Sequence, residues 1–164
     1  MGEEPARGVV VVSDTSPILN LFLVEHLDLL RKLFGEIVIP PSVANELTSY
    51  GAVVDGDRMR GVAERDREEL SRMQLLLDSG EAEAIVVAIE ICAGLLLADE
   101  RRGRREAAAR GLRVTGILGV LAHAKERGFI SSRGSVLDEM IVHAGFWIGE
   151  ELRVQLLSGV GEAP

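Results

Sequence analysis

Several features that would assign this chain quickly are missing from its sequence. It has a single cysteine, Cys92. No internal disulfide can form, and a reducing cytoplasm is the expected compartment. It has no basic excess: the net charge of −8 excludes a protein coated in positive charge for gripping duplex DNA. A local basic patch would still admit nucleic acid. It has no long apolar run, since the stretch from Ala82 to Ala98 is broken by Glu83, Glu90 and Gly94. That stretch is too short and too charged to span a bilayer, so it reads as a buried helix followed by a buried strand, with no membrane partner. The acidic start, Met1-Gly2-Glu3-Glu4, lacks the basic opening of a signal peptide. No glycine-rich phosphate loop, internal repeat or low-complexity segment is visible. His26, His123 and His143 show no metal-binding spacing with one another or with Cys92, which leaves them core or surface roles. Lysine occurs only at Lys32 and Lys125 among 18 basic residues. The remaining arginines fit a coding bias or a preference for bidentate phosphate contacts.

What is present is a globular composition. The 164 residues are 47% hydrophobic, enough for one domain with a real core. We expect a single domain over residues 1–164, with its core at about 9–130 and C-terminal helices at about 135–157. Val9-Val10-Val11-Val12, Glu36-Ile37-Val38-Ile39 and Leu95-Leu96-Leu97-Ala98 are short apolar runs of the kind buried on both faces of a parallel sheet. Leu112-Arg113-Val114-Thr115 is a weaker fourth. Between them lie helical segments. One starts at Ser16-Pro17, read as N-cap and first helical residue. Others run from about Val24 to Phe34, through Val43, Ala44 and Leu47, from Val62 to Leu77, from Asp78 to about Cys92, from Arg101 to Arg110 and from Gly116 to Arg127. Tyr50 to Gly61 reads as a loop. Strands alternating with helices predict βαβ units, and hence a three-layer α/β/α sandwich with a parallel sheet of four to five strands.

In open α/β sheets ligands bind beyond the carboxyl ends of the strands. Asp14 and Asp99 each follow a buried apolar strand, so both should project at that edge. Glu46 borders the packed face of the helix after the second strand. Glu83 sits in an almost wholly apolar helix, where a charge is costly unless paired or bound to metal. Asp78-x-x-Glu81 matches a capping box, which predicts that the Glu81 carboxyl folds back on the cap. Glu81 and Glu83 are about 200° apart on a helix and cannot share one site. The expectation is therefore Glu83 at the metal and Glu81 in the cap or beside the ligands.

These same segments carry a family resemblance. Val11-Val12-Ser13-Asp14-Thr15-Ser16-Pro17 resembles the opening of PIN domains. Ile39-Pro40-Pro41-Ser42-Val43-Ala44-Asn45-Glu46-Leu47 resembles their second motif, which ends in a metal-binding glutamate. Gly80-Glu81-Ala82-Glu83-Ala84-Ile85 and Leu97-Ala98-Asp99-Glu100 resemble the third and fourth. The stretch from Val114 to Ile130 is similar to that of a poorly characterised prokaryotic subgroup of short PIN proteins. The resemblance implies a PIN-like fold with an acidic pocket of Asp14, Glu46, Glu83 and Asp99, both catalytic and holding Mg²⁺ or Mn²⁺. It implies hydrolysis of single-stranded RNA, and many members are VapC-like toxins of toxin–antitoxin pairs, often homodimers, so an antitoxin is an expected partner. Glu83 stands where most PIN toxins have aspartate, and the fourth position is open between Asp99 and Glu100.

Phosphodiester hydrolysis fits this donor set, because hard divalent cations prefer carboxylate oxygens and supply both an activated water and charge neutralisation. Thr15, Ser16 and Asn20 are candidate polar supports for the ligands, and the helix start at Ser16-Pro17 could receive a phosphate. Asp99 to Arg113 contains six arginines against three acids. It reads either as a solvated helix with internal ion pairs or as an RNA groove, with Arg102 and Arg105 as the phosphate contacts. Phe146 and Trp147 could stack a base, but core or interface packing is the favoured role. Two rival functions remain: a PIN scaffold that binds without cutting, and a phosphoryl-transfer enzyme with Asp14 as nucleophile. The latter lacks an acid at Ser16.

Overall fold

The computed structural model describes residues 9–54, 59–61, 63 and 65–158. The acidic start, Val62 at the expected helix start, and part of the expected loop before Met59 lie outside them. The elements follow in the order β1 (Val11–Ser13), α1 (Thr15–Leu23), α2 (Asp28–Phe34), β2 (Ile37–Ile39), α3 (Pro41–Ser49), β3 (Met59–Gly61), α4 (Arg67–Gln74), α5 (Ser79–Glu90), β4 (Leu95–Leu97), α6 (Arg101–Ala109), β5 (Val114–Thr115), α7 (Ile117–Glu126), α8 (Arg133–His143) and α9 (Glu150–Ser158). All strand pairs are parallel, in the order β3-β2-β1-β4-β5. The expected α/β sandwich is therefore the observed one.

Strand residues alternate between two cores, as the two-residue period of a strand requires. Val11, Ile37 and Leu97 face Ile18, Leu21, Leu29, Leu121 and Leu137. Val12, Val38 and Leu96 face Met73, Ile85, Val86 and Ala107 on the other side. Each apolar strand is thus covered on both faces, which is why these segments carry no polar alternation. Among the described residues no helix is long and apolar enough to cross a membrane.

Several assignments differ from expectation: helix α4 covers only Arg67–Gln74 of the expected Val62–Leu77, because Asp66 caps it by accepting from the Glu69 N–H, and three others have equally local reasons. Helix α1 begins at Thr15 because Asp14, not Ser16, caps it: the Asp14 side chain accepts from the Thr15 N–H. Chain continuity from α1 to α2 breaks at Glu25, which adopts φ 60°, so the second helix starts at Asp28 and not near Val24. The stretch read as a loop contains β3, which pairs with β2 through Met59↔Ile37 and Arg60↔Val38. Met59-Arg60-Gly61 has one buried side chain and no β-branched residue, so nothing in its composition marks a strand.

The order matters for function because β1 and β4 are neighbours, with Ser13 opposite Leu97. The chain leaves β1 towards β2 on one side and reaches β4 on the other. The topological switch therefore lies between β1 and β4, where a crevice opens beyond the strand ends.

Candidate active site

Asp14 occupies that crevice. Its backbone N–H donates to the Leu97 carbonyl at 2.9 Å, tying the end of β1 to β4. Its carboxylate accepts from the Thr15 N–H at 2.6 Å. The side chain is only 5% exposed. Burial pushes its pKa up to about 7, opposed by the Thr15 N–H and reinforced by the charges of Glu81, Asp78 and Glu46. Asp14 takes the first N–H of α1, so a phosphate at that helix start would meet the N–H groups that follow it.

Glu46, on α3, is held from the same turn: the Thr15 hydroxyl donates to its Oε2 at 2.5 Å. Thr15 thus orients both acids, one through its backbone and one through its side chain.

On α5 the geometry reverses the sequence expectation. Glu83 does not face the crevice. It accepts from the Ser42 N–H at 2.9 Å and from the Ser42 hydroxyl at 2.7 Å, so it satisfies the N-terminal turn of α3. Glu81 turns to the opposite side and lines the cleft with Asp14 and Glu46. Asp78 does cap α5, accepting from the Glu81 N–H at 2.9 Å. The Glu81 carboxyl takes a hydrogen bond back from the Asp78 backbone N–H, as the capping box predicts, yet its Oε1 is buried and finds no hydrogen-bond partner among the described residues. Burial raises its pKa, and the charges of Asp78 and Glu100 add to this.

Asp99 is likewise only partly where it was expected. It is at the end of β4, but its Oδ1 accepts from the Ile117 N–H at 2.7 Å and so caps α7. Its Oδ2 is buried and unpartnered among the described residues. Burial raises its pKa, while the Ile117 N–H, the Arg104 charge and a hydrogen bond from Asn20 oppose this. Asp99 lines a second cleft and not the one holding Asp14; its neighbour Glu100 lines both.

The first cleft, of about 870 Å³, holds Asp14, Glu46, Asp78, Glu81 and Glu100, together with Thr15, Ser16 and one cation, Arg102. Tyr50, Leu75 and Leu76 form an exposed apolar rim. The second, of about 900 Å³, holds Asp99, Asn20, Arg101, Arg104 and Trp147. Arg105 lines neither. Trp147 is 84% exposed, so packing in the core is excluded for it, whereas Phe146 is half-buried against the core. The arginine-rich stretch divides between both earlier readings: Arg110 is ion-paired with Glu69 and Glu106, while Arg101, Arg102 and Arg104 point to the clefts.

Three glycines shape the site. A Cβ on Gly80 would stand 3.4 Å from Asp14 Oδ1, one on Gly103 3.1 Å from Glu81 Oε1, and one on Gly116 2.6 Å from Asp99 Oδ1. A glycine inside the helical pattern of Arg101 to Arg110 was the available signal for Gly103, since such a residue costs about 1 kcal/mol unless something must approach closely.

Among the described residues no three His, Cys, Asp or Glu side chains converge at metal-binding spacing. The donor set nevertheless suits a hard divalent cation. It is all oxygen, burial and then the neighbouring acids raise the Asp14 pKa, and it includes a buried Glu81 oxygen without a partner among the described residues.

Comparison with known proteins gives one family and one fold. A family model described as a PIN domain (DUF3368) matches residues 10–162. Among solved structures, a PilT N-terminus domain protein, SSO1118, from the hyperthermophilic archaeon Sulfolobus solfataricus P2 is similar at 23% identity and a TM-score of 0.50, over 70% of this chain and 92% of that one. No curated protein matches.

Proposed function

The chain belongs to the PIN-domain family, whose members are generally nucleases, and from that premise we propose that it is a divalent-metal-dependent endoribonuclease acting on single-stranded RNA. The observation that carries this reading is Asp14: a buried carboxylate at the β1–β4 switch point, with its pKa pushed up to about 7 by burial and by the surrounding acids. Such a cluster is unfavourable unless a proton or a cation neutralises it.

In this reading Asp14, Glu46 and Glu81 hold Mg²⁺ or Mn²⁺, and Glu100 completes the set. This replaces Glu83, whose oxygens are taken by Ser42, and it sets Asp99 aside as the cap of α7. The bound cation would supply an activated water and offset charge on the phosphate. The protein's own part is positional. Thr15 fixes Asp14 through its N–H and Glu46 through its hydroxyl. Gly103 leaves room for the Glu81 carboxylate. Arg102, in the same cleft, offers a guanidinium to a phosphate oxygen.

The test is incubation of the full chain with a pool of single-stranded RNAs, with Mn²⁺, with Mg²⁺ and with EDTA. Cleavage is expected with metal and not with EDTA, and Asp14→Asn should abolish it. Cleavage that persists in EDTA, or that survives Asp14→Asn, would sink the proposal.

A second reading, a PIN scaffold that binds without cutting, is favoured by one observation: no three acids already stand at metal-binding spacing among the described residues. Calorimetric titration of Mn²⁺ separates the two, since the scaffold predicts no heat that depends on Asp14. The first reading extends to a cytoplasmic toxin acting as a homodimer and restrained by an antitoxin. The exposed Tyr50, Leu75 and Leu76 at the acid cleft are the surface such a protein partner would cover.

A further inference from the structure

The second cleft has a composition that the acid cleft does not. One wall is α6, which presents Arg101 and Arg104, both exposed. Arg110, at the end of the same helix, is held between Glu69 and Glu106, whereas among the described residues no salt bridge takes up Arg101 or Arg104, the latter lying near the Asp99 carboxylate. The opposite wall is the segment between α8 and α9. There Phe146 packs against the core and anchors the chain, Gly145 turns it with φ 66°, and Trp147 stands 84% exposed. An indole has a large apolar surface, and leaving it in water is unfavourable unless a partner covers it. The two clefts share Ser16 and Glu100, so the second continues directly from the acids.

Guanidinium groups facing an exposed aromatic ring are what a single-stranded nucleic acid needs: cations for the backbone and a flat apolar face for a base. A second copy of this chain would also cover the tryptophan, but the direct continuity of this cleft with the acids favours a strand of nucleic acid running through both. We propose that this cleft seats a nucleotide of single-stranded RNA adjoining the one at the acids, with its base on the Trp147 indole and its phosphate between Arg101 and Arg104. This rests on the nuclease reading above. Base stacking on an aromatic ring is tolerant of sequence, so the subsite adds grip and register more than choice of base.

Trp147 is the chain's single tryptophan, so its emission reports on this cleft alone. The full chain in EDTA, which halts cleavage, is titrated with a short oligouridylate while emission is followed; affinity is measured separately by anisotropy of a labelled copy. Saturable quenching is expected. Trp147→Ala should weaken binding by roughly ten- to a hundred-fold, the range for one stacked base, and Trp147→Phe should restore most of it. Replacing both Arg101 and Arg104 by Ala should flatten the salt dependence by about 0.7 per arginine on a log–log plot. If oligouridylate binds and metal-loaded protein cuts it, yet emission is unchanged and Trp147→Ala is neutral, the subsite is overturned and the nuclease reading stands. If no RNA is bound or cut under any condition, the nuclease reading falls and the subsite with it. If Trp147→Ala turns a sedimenting dimer into a monomer with RNA affinity unchanged, this face is a contact between copies and the subsite is overturned.

Discussion

The acid cleft and the joint between α3 and α5 are built from the same kind of side chain two residues apart. Glu81 and Glu83 lie on one helix, among small residues, and both are at most 9% exposed. At 100° per residue they leave α5 on opposite sides. Glu83 meets the start of α3, where two donors from Ser42 satisfy it. Glu81 meets Asp14 and Glu100 in the cleft, where one of its buried oxygens has no donor among the described residues. Burial alone therefore does not distinguish a functional acid from a structural one. The distinction lies in what answers the charge: a fully answered carboxylate stitches helices together, and an unanswered one among other acids awaits a cation or a proton.

The sharpest way to break this comparison is to neutralise each acid without changing its shape. Asp14→Asn and Glu81→Gln should lower metal-dependent RNA cleavage by roughly 10³-fold, the loss expected when transition-state charge is no longer stabilised. Glu83→Gln should leave it within a few-fold. Rates under single-turnover conditions decide it: a Glu83→Gln variant as dead as Glu81→Gln would show that the two regions are not functionally distinct.

A second contrast concerns pH in the metal-free protein. Asp14 in the folded chain has a pKa of about 7 against an ordinary value of 3.8. The folded state therefore binds the Asp14 proton more tightly than the unfolded state does. The stability this contributes is present below about pH 4 and is lost as pH rises towards 7, the reverse of a salt-bridged carboxylate. Between about pH 5 and pH 8 the loss is about 3 kcal/mol, or roughly 6–10 °C in melting temperature for a chain of this size. Burial shifts Glu81 and Asp99 in the same direction. Melting curves in EDTA should show wild type less stable at the higher pH, and Asp14→Asn should lack Asp14's share of that decline. Identical pH dependence in the two proteins would remove the electrostatic case for the site.

At the joint the effect falls on stability instead. Glu83→Ala removes two hydrogen bonds to a buried charge and leaves the Ser42 donors unanswered at the start of α3. The expected cost is about 2–3 kcal/mol in denaturant unfolding. Ser42→Ala should cost less, about 1 kcal/mol, and the double variant less than the sum, because each single change already breaks the same contact. Strict additivity would mean that the Ser42–Glu83 pair is not the joint.

These contrasts also explain what was legible in the sequence. The β-branched and leucine-rich strands revealed the α/β layering, because burial on both faces leaves a compositional mark. Asp14 was legible from its place after β1. The choice between Glu81 and Glu83 was not, because helical periodicity says that they diverge but not which side faces the crevice. The capping signature correctly identified Asp78 as the cap. It also placed the Glu81 carboxyl on the backbone of the cap, but it gave no sign that the same side chain keeps a buried, unanswered oxygen in the room left by Gly103. Strand β3 escaped because its pairing to β2, and not its own residues, makes it a strand. Trp147 escaped because exposure depends on the turn between α8 and α9.

The smallest effect tests that role of Gly103. Inside α6, replacing glycine by alanine should stabilise the helix by about 0.5–1 kcal/mol, since the unfolded chain loses freedom. The new methyl would stand 3.1 Å from Glu81 Oε1, closer than comfortable contact. That oxygen is the end of a flexible side chain with no donor to hold it, so it should yield by a few tenths of an ångström instead of straining the backbone. Gly103→Ala is therefore expected to leave the melting temperature unchanged or slightly raised while weakening Mn²⁺ binding by about ten-fold, through a displaced ligand. A large fall in melting temperature would show that Gly103 serves packing between α5 and α6. Unchanged Mn²⁺ affinity with unchanged stability would show that Glu81 does not hold the cation, and the division between Glu81 and Glu83 would then be one of packing alone.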